Sequence, residues 1–369
     1  MKKMKINWAE PCIGSEEKKF VIDCFKENRF TQGKKVSLFE KEMGKFVGSK
    51  YSIAVSNGTV ALDLAYKEIN LSPGDEVIMP AISYISTASA VSYQGAIPVF
   101  VDVDIETNCI KPEEVIKAIT KKTKAISFID YGGYPSDYKK LNEISKKFKI
   151  PIILDAAQSL GGKYKGKNLG SNGLISTMSF HLAKIITTVE GGMIFTNNKK
   201  IFQNLLIRRN IGEPKKKKYN HVILGTNARM TDLQAGIGIA QLKKLKSIIL
   251  SRNKVAREYN KLILMNKKIK IFKYEKQNKN AYFFYPVLIE NRDIVAKKLL
   301  RVYGIDTRIA YPMPIYEQPI YKNRICKSRH LRCSNAKSIS SRILNLPIFP
   351  NMNKKQIKYV VECLNNSLI

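Results

Sequence analysis

From about residue 50 to residue 196 the chain repeats one pattern: a short apolar, β-branched run, a turn, an amphipathic stretch, and a further apolar run. Strand-like runs fall at 52–55, 76–79, 98–103, 125–129, 151–154, 174–180 and 193–196, with helix-like stretches such as 59–69, 112–121 and 137–148 between them. Runs this far apart, with helical pattern between, read as crossover connections rather than hairpins. The expectation is an α/β fold built on a doubly wound, seven-stranded, mostly parallel sheet. In such a sheet ligands sit outside the carboxyl ends of the strands. Chemistry is therefore to be sought where each apolar run stops.

The rest of the 369 residues exceeds what one sheet needs. A helical pattern over 232–264, broken near Ser251, leads out of the sheet region. Strands at 270–272 and 282–289, a helix at 293–303 and a last helix after Asn353 make a smaller α/β unit. The expected organisation is an N-terminal segment over 1–35 packing on the small domain or a partner subunit, a large domain over 36–245, and a small domain over 246–369.

No apolar run approaches the ~20 residues that span a bilayer. The opening Met1-Lys2-Lys3-Met4-Lys5-Ile6-Asn7 has charge but no apolar stretch behind it, so a cytoplasmic protein is expected. The six cysteines are scattered without a C-x-x-C pair, as in a reduced compartment. Cys326, His330 and Cys333 could share a helical face, but Lys327, Arg329 and Arg332 interleave them and no fourth ligand is near, so no metal is expected. The net charge of +34 is spread along the whole chain together with abundant Ile and Asn, as drift toward A/T-rich codons would produce. Its densest run, Lys215 to Lys218, follows Gly212-Glu213-Pro214 and reads as a solvated loop. Nucleic acid is not the expected partner. A basic surface would still gather a substrate bearing a diphosphate.

Two strand ends carry the chemistry. The run 151–154 delivers Asp155 in Leu154-Asp155-Ala156-Ala157-Gln158-Ser159, and the run 174–180 delivers Ser179 and then Lys184. A bare carboxylate at a buried strand end is costly unless a cation pairs with it. A protonated pyridine is such a cation, and a lysine beside it completes what pyridoxal 5′-phosphate (PLP) requires. The carboxylate keeps the ring nitrogen protonated so that the ring takes up electrons; the lysine holds the cofactor as a Schiff base and moves protons. Ala156 and Ala157 leave room for a flat ring.

Ser56-Asn57-Gly58-Thr59, between a strand and a helix start, reads as a phosphate cradle of free N–H groups, although the same residues serve an ordinary turn and N-cap. Tyr84 follows the run 76–79 and would cover one face of the ring, with a core or surface tyrosine as the alternative. Gln158 would reach the ring's phenolic oxygen or the phosphate, or else be a polar residue at a helix start. Ser179 would reach the phosphate while Lys184 reaches the aldehyde carbon, in a setting that lowers a lysine pKa. His181 is assigned no catalytic role, and Asn227-Ala228-Arg229-Met230 reads only as the start of the long helix.

Taken together these blocks resemble the nucleotide-sugar aminotransferases of the DegT group, within the fold-type I PLP-dependent enzymes. The similarity runs through Phe39-Glu40, Val55-Ser56-Asn57-Gly58-Thr59, Gly74-Asp75-Glu76, Gly95-Ala96-Ile97-Pro98, Leu154-Asp155-Ala156-Ala157-Gln158-Ser159, Ser179-Phe180-His181 with Lys184, Glu190-Gly191-Gly192, Asn227 with Arg229-Met230, Gln241-Leu242, Tyr311-Pro312 with Pro314, and Leu346-Pro347. The resemblance implies that Lys184 carries the cofactor, Asp155 pairs with the pyridine nitrogen and Tyr84 stacks on the ring. Gly58, Thr59, Gln158 and Ser179 would hold the phosphate side. It also implies a homodimer with shared active sites, Asn227 reaching the phosphate of the other subunit, and Arg229 and Tyr316 on the substrate side. The implied reaction moves an amino group from L-glutamate to a nucleotide-linked keto-deoxysugar, with a 4-keto-6-deoxyhexose favoured, for polysaccharide or glycan biosynthesis. Asp130 and Tyr316 stand where histidines are common, and Val189 where glycine is frequent. Two other readings are a dehydratase of the same family, whose 3-dehydratase branch has histidine where Lys184 stands, and a non-catalytic regulatory or nucleic-acid-binding homologue.

Overall fold

A computed structural model describes residues 3–28, 30–215 and 218–368. Lys216 and Lys217, in the middle of the lysine run, and Met1 and Lys2 lie outside the described residues; Lys215 and Lys218 are exposed in turns.

The strands in chain order are β1 (Tyr51–Val55), β2 (Glu76–Pro80), β3 (Ile97–Val101), β4 (Thr123–Ile129), β5 (Ile152–Asp155), a short hairpin of β6 (Lys163–Tyr164) and β7 (Lys167–Asn168), β8 (Ile175–Ser179), β9 (Gly192–Thr196), β10 (Lys270–Ile271), β11 (Tyr285–Leu288), β12 (Arg329–His330) and β13 (Ile343–Leu346). All seven expected strands of the first region are present. They form a sheet of order β1-β9-β8-β5-β4-β2-β3-β12, parallel except that β9 runs against both neighbours. The eighth strand was not expected. β12 is two residues long, and it joins the edge because Arg329 reaches the Glu76 carboxylate at 3.1 Å and the Ala118 carbonyl at 2.8 Å.

The first eight helices are α1 (Ser15–Lys26), α2 (Lys34–Val47), α3 (Gly58–Glu68), α4 (Ser86–Ser92), α5 (Pro112–Ala118), α6 (Tyr138–Phe148), α7 (Lys199–Arg209) and α8 (Asp232–Ile263). Strands β2 to β5 are buried almost throughout because helices cover the sheet, which is why they read as continuous apolar runs rather than alternating ones. α8 starts on a capping box between Thr231 and Gln234 and continues unbroken through Ser251. The expected break is absent because the apolar stripe of Ala235, Ile239, Leu245, Ile248, Val255, Tyr259 and Ile263 runs on, while the Ser251 hydroxyl accepts the Asn351 N–H at 3.0 Å.

The buried side chains form two clusters, and α8 spans both: Leu245 and Ile248 belong to the larger, Val255, Tyr259 and Ile263 to the smaller. The smaller also contains residues of β11, β13, α9 (Arg292–Arg301) and α12 (Lys354–Asn365). Between them in sequence, α10 (Pro319–Lys322) and α11 (Ser334–Arg342) place Tyr321, Ala336 and Ile339 back in the larger cluster. The N-terminal residues serve both: Ile6 bridges to Ile305 in the smaller cluster, whereas α1 packs on α8 through Glu17, which Lys244 grips at 2.8 Å. Among the described residues no helix is long and apolar enough to cross a membrane.

Candidate active site

The carboxyl ends of β1, β2, β5 and β8 lie along one edge of the sheet, and a cavity of about 630 Å³ opens there. Each lining segment follows one strand: Asn57, Gly58 and Thr59 after β1, Ser83, Tyr84 and Ser86 after β2, Asp155 and Gln158 at and after β5, Ser179 and Lys184 at and after β8. Phe283, Phe284, Arg308, Tyr311 and Trp8 close the far wall. A cleft of about 700 Å³ lies elsewhere, between the loops after β3 and β4, and contains the ion pairs of Lys140 with Glu113 and Lys273 with Glu106, both at 3.0 Å. It holds no lysine facing a buried carboxylate.

Asp155 is 5% exposed. Its carboxylate accepts the Thr87 hydroxyl at 2.7 Å and the Ala157 N–H at 3.1 Å, and Ser83 lies 2.8 Å from Thr87 behind it. Burial pushes the carboxyl above its usual range; the Thr87 and Ala157 hydrogen bonds and the nearby Lys184 charge offset this only in part. Among the described residues no cation stands within ion-pair distance of it. Lys184 follows a turn closed by its own N–H on the His181 carbonyl, and its ammonium lies 4.6 Å from the centre of the Phe283 ring. Burial pulls its pKa down to about 8 against the opposing pull of Asp155. Half of the amine is then neutral at pH 8, against roughly 0.3% for an ordinary lysine. Lys184 is therefore expected to dominate acylation of the cofactor-free chain at that pH, as mapped by peptide mass; labelling at the rate of surface lysines would contradict the shift.

These residues fit PLP. A Cβ on Gly58 would lie 2.8 Å from the Ser179 Cβ, so glycine is what lets the start of α3 close against Ser179. The Asn57 side chain caps α3 by accepting the Val60 N–H at 2.9 Å, and the Thr59 hydroxyl pairs with Ser86 at 2.8 Å. The segment is thus a cap and, at the same time, a helix N-terminus open to the cavity. Gln158 accepts the Gly132 N–H at 2.8 Å and donates to the Tyr311 hydroxyl at 3.1 Å. Tyr84 leaves its ring exposed beside Tyr311, with centroids 6.3 Å apart.

Three expected residues do not line the cavity. Asn227 is exposed and bridges to Asn210, and Arg229 donates to the Asn210 side chain at 2.9 Å. Tyr316 turns the other way: Ile315 N–H binds the Ala81 carbonyl, and the Tyr316 ring stacks on His330 at 4.3 Å beneath β12. Asp130 is buried below the site, where it accepts from Ser159, Tyr138 and the Ser136 N–H, so it braces the layer under Gln158. Val189 has φ +71°, a left-handed conformation in which a β-branched residue is strained, and this accounts for glycine being frequent there.

Sequence reasoning missed Thr87, Trp8, Arg308, Tyr311, Phe283 and Phe284 as cavity or second-layer residues. Thr87 carried a signal, a hydroxyl one helical turn after Ser83 and close behind a strand end. The far wall carried none, since nothing local ties residues 8, 283 and 308 together.

The model of the DegT/DnrJ/EryC1/StrS aminotransferase family matches residues 11–365. The chain is 35% identical over 368 residues to GDP-perosamine synthase of Escherichia coli O157:H7, covering 96% of each. Among solved structures it is similar to Helicobacter pylori PseC, an aminotransferase involved in the biosynthesis of pseudoaminic acid, with TM-score 0.92, 27% identity and 99% of both chains covered. It is similar as well to the E. coli GDP-4-keto-6-deoxy-D-mannose-3-dehydratase with bound hydrated PLP, with TM-score 0.92, 26% identity, and 98% of this chain and 100% of that one covered. With a family match along nearly its whole length and a cavity whose lysine, carboxylate and glycine fit the cofactor, the chain belongs to the DegT/DnrJ/EryC1/StrS aminotransferase family and uses pyridoxal 5′-phosphate.

Proposed function

We propose that this protein is a cytoplasmic homodimeric aminotransferase that moves the amino group of L-glutamate to the keto carbon of a nucleotide-linked sugar, a 4-keto-6-deoxyhexose, for glycan assembly. The observation that carries this reading is Lys184: a lysine of lowered pKa faces a buried carboxylate in one cavity, where the dehydratase branch would have histidine. When bound, PLP supplies the electron sink for the carbon that loses its proton. Asp155, steadied by Thr87 and the Ala157 N–H, holds a proton on the ring nitrogen. Lys184 Nζ, neutral in a useful fraction near pH 8, takes the α-proton of the donor and returns a proton to the sugar carbon that receives nitrogen. Gly58, Thr59 and Ser179 bind the phosphate, Gln158 and Tyr84 orient the ring, and the Phe283–Phe284 wall excludes water.

The test is a panel of nucleotide keto-sugars given with glutamate. Release of 2-oxoglutarate, with a product in which an amino group replaces the ketone oxygen, supports the reading. A product that has instead lost a hydroxyl would make the protein a dehydratase.

The exposed Asn227, outside this chain's own cavity, is the reason to read the active site as shared between two subunits, with Asn227 serving the phosphate of the other. A closed two-fold dimer makes the two sites equivalent. Mixing an inactive Lys184→Ala chain with an inactive Asn227→Asp chain is expected to restore activity, because one site of the mixed dimer then receives both native residues. Mixed dimers that stay inactive would place the action of Asn227 within its own subunit.

A further inference from the structure

A dicarboxylic donor needs a fixed positive charge besides the one that performs the chemistry. Two acids, Asp155 and Glu190, line the cavity, and among its described lining residues Lys184 and Arg308 carry the basic side chains, of which only the guanidinium is permanently charged. Lys184 faces Asp155 and is committed to proton transfer. Arg229, the other arginine singled out from the sequence, is turned to Asn210 and does not line this cavity.

Arg308 is built to hold a direction. Its backbone is pinned to Asn345 of β13 on both sides, the N–H donating at 3.0 Å and the carbonyl accepting at 2.8 Å, and the Asn345 side-chain amide adds a third bond at 3.0 Å. The guanidinium lies over the Trp8 ring at 5.4 Å, a cation–π contact that fixes its plane and leaves its N–H edge free. Its nearest carboxylate, Asp306, is at 3.9 Å, the outer limit of an ion pair, and the Arg308 side chain is 59% exposed. Among the described residues this guanidinium has no strong partner. Trp8 adds a second unmet demand: its indole N–H is buried and has no acceptor among the described residues. A buried donor left unpaired is destabilising. An anion at this wall would give the guanidinium the strong partner it lacks.

We propose that Arg308, steadied on Trp8, receives the distal carboxylate of the amino donor and so makes the cavity select a dicarboxylic amino acid. The inference rests on the aminotransferase reading and names the residue that chooses the donor. A carboxylate fits the planar guanidinium edge through two parallel N–H bonds, and a neutral side chain such as that of alanine leaves the charge unpaired. Discrimination then comes from the penalty on the wrong donor as much as from the bond to the right one.

Trp8 is the only tryptophan in the chain, so indole fluorescence reports on this wall alone. The holoenzyme is titrated with glutarate, which has two carboxylates but no amino or keto group to react, and in parallel with butyrate and with inorganic pyrophosphate. Glutarate is expected to give a saturable change and butyrate a much weaker one. Arg308→Gln is expected to weaken glutarate binding and raise KM for L-glutamate about tenfold or more, with kcat and the KM for the sugar nucleotide nearly unchanged. Arg308→Lys, which keeps the charge but not the fork, falls between. Unchanged glutarate binding in Arg308→Gln overturns the proposal. So does loss of pyrophosphate binding with glutarate retained, since Arg308 would then read the diphosphate. Glutarate bound through Arg308 by a chain that aminates no keto-sugar would remove the acceptor reading and uphold this one.

Discussion

Lys184→Ala is expected to lower turnover by about 10⁴-fold, the upper end of the range for removing a positioned acid–base group, while the fold stays intact. Lys184 is the only lysine among the described residues lining the cavity, so no neighbour stands ready to take over. Its side chain contacts the Phe283 ring and makes no hydrogen bond among the described residues, so its removal opens space without orphaning a partner. Circular dichroism should therefore match wild type, and borohydride reduction should fix no cofactor to the chain. Small primary amines added to the variant should restore part of the rate, because a free amine can take over the proton transfer that Lys184 performed. A variant that turns over near the normal rate would remove Lys184 from the mechanism.

Asp155→Asn is expected to cost about 10³-fold in turnover, ~4 kcal/mol in the barrier, because an amide cannot hold a proton on the ring nitrogen. The stability effect has the opposite sign. Burial raises the Asp155 carboxyl above its unfolded value, so folding with the charged form is penalised. That penalty is absent at pH values below the unfolded pKa and grows as pH rises through the folded one. The asparagine variant without cofactor should thus melt higher than wild type at neutral pH, and the difference should close on acidification toward the ordinary carboxylate range. Its amide remains compatible with the site, since the carbonyl can accept the Ala157 N–H while the Thr87 hydroxyl rotates to accept. Retained activity in Asp155→Asn would mean that another group holds the ring nitrogen. A lower melting point at neutral pH would mean that the Thr87 and Ala157 bonds outweigh the burial of charge.

These two variants pull function and stability apart for a physical reason. A carboxylate and an ammonium face one cavity without closing into a bonded ion pair, each displaced from its ordinary pKa by burial. Such an arrangement opposes folding and would be relieved by a cation paired with Asp155.

The strand-end residues that line the cavity were legible in the sequence because each sits within a few positions of a strand end, and strand ends are local features. The apolar runs 151–154 and 174–180 ended at β5 and β8, and the parallel order of the sheet then made neighbours of Asp155, Ser179 and Lys184. What is decided by periodicity and turn chemistry could be read without coordinates. The unbroken α8 could not, since the stripe that carries it past Ser251 gains its value from two separate cores. Nor could β12, whose two residues pair with β3 only because Arg329 finds Glu76 from 253 positions away. The run 282–289 read as one strand, yet tertiary packing starts β11 at Tyr285 and spends Phe283 and Phe284 on the cavity wall. The same holds for Tyr316, drawn beneath β12, and for Trp8 and Arg308, set ring against guanidinium across 300 residues of chain. Sequence by itself determined seven strands of the sheet, the cofactor class and the strand-end positions of Asp155 and Lys184; which side chains close the pocket was decided by contacts between distant segments, and no local pattern encodes those.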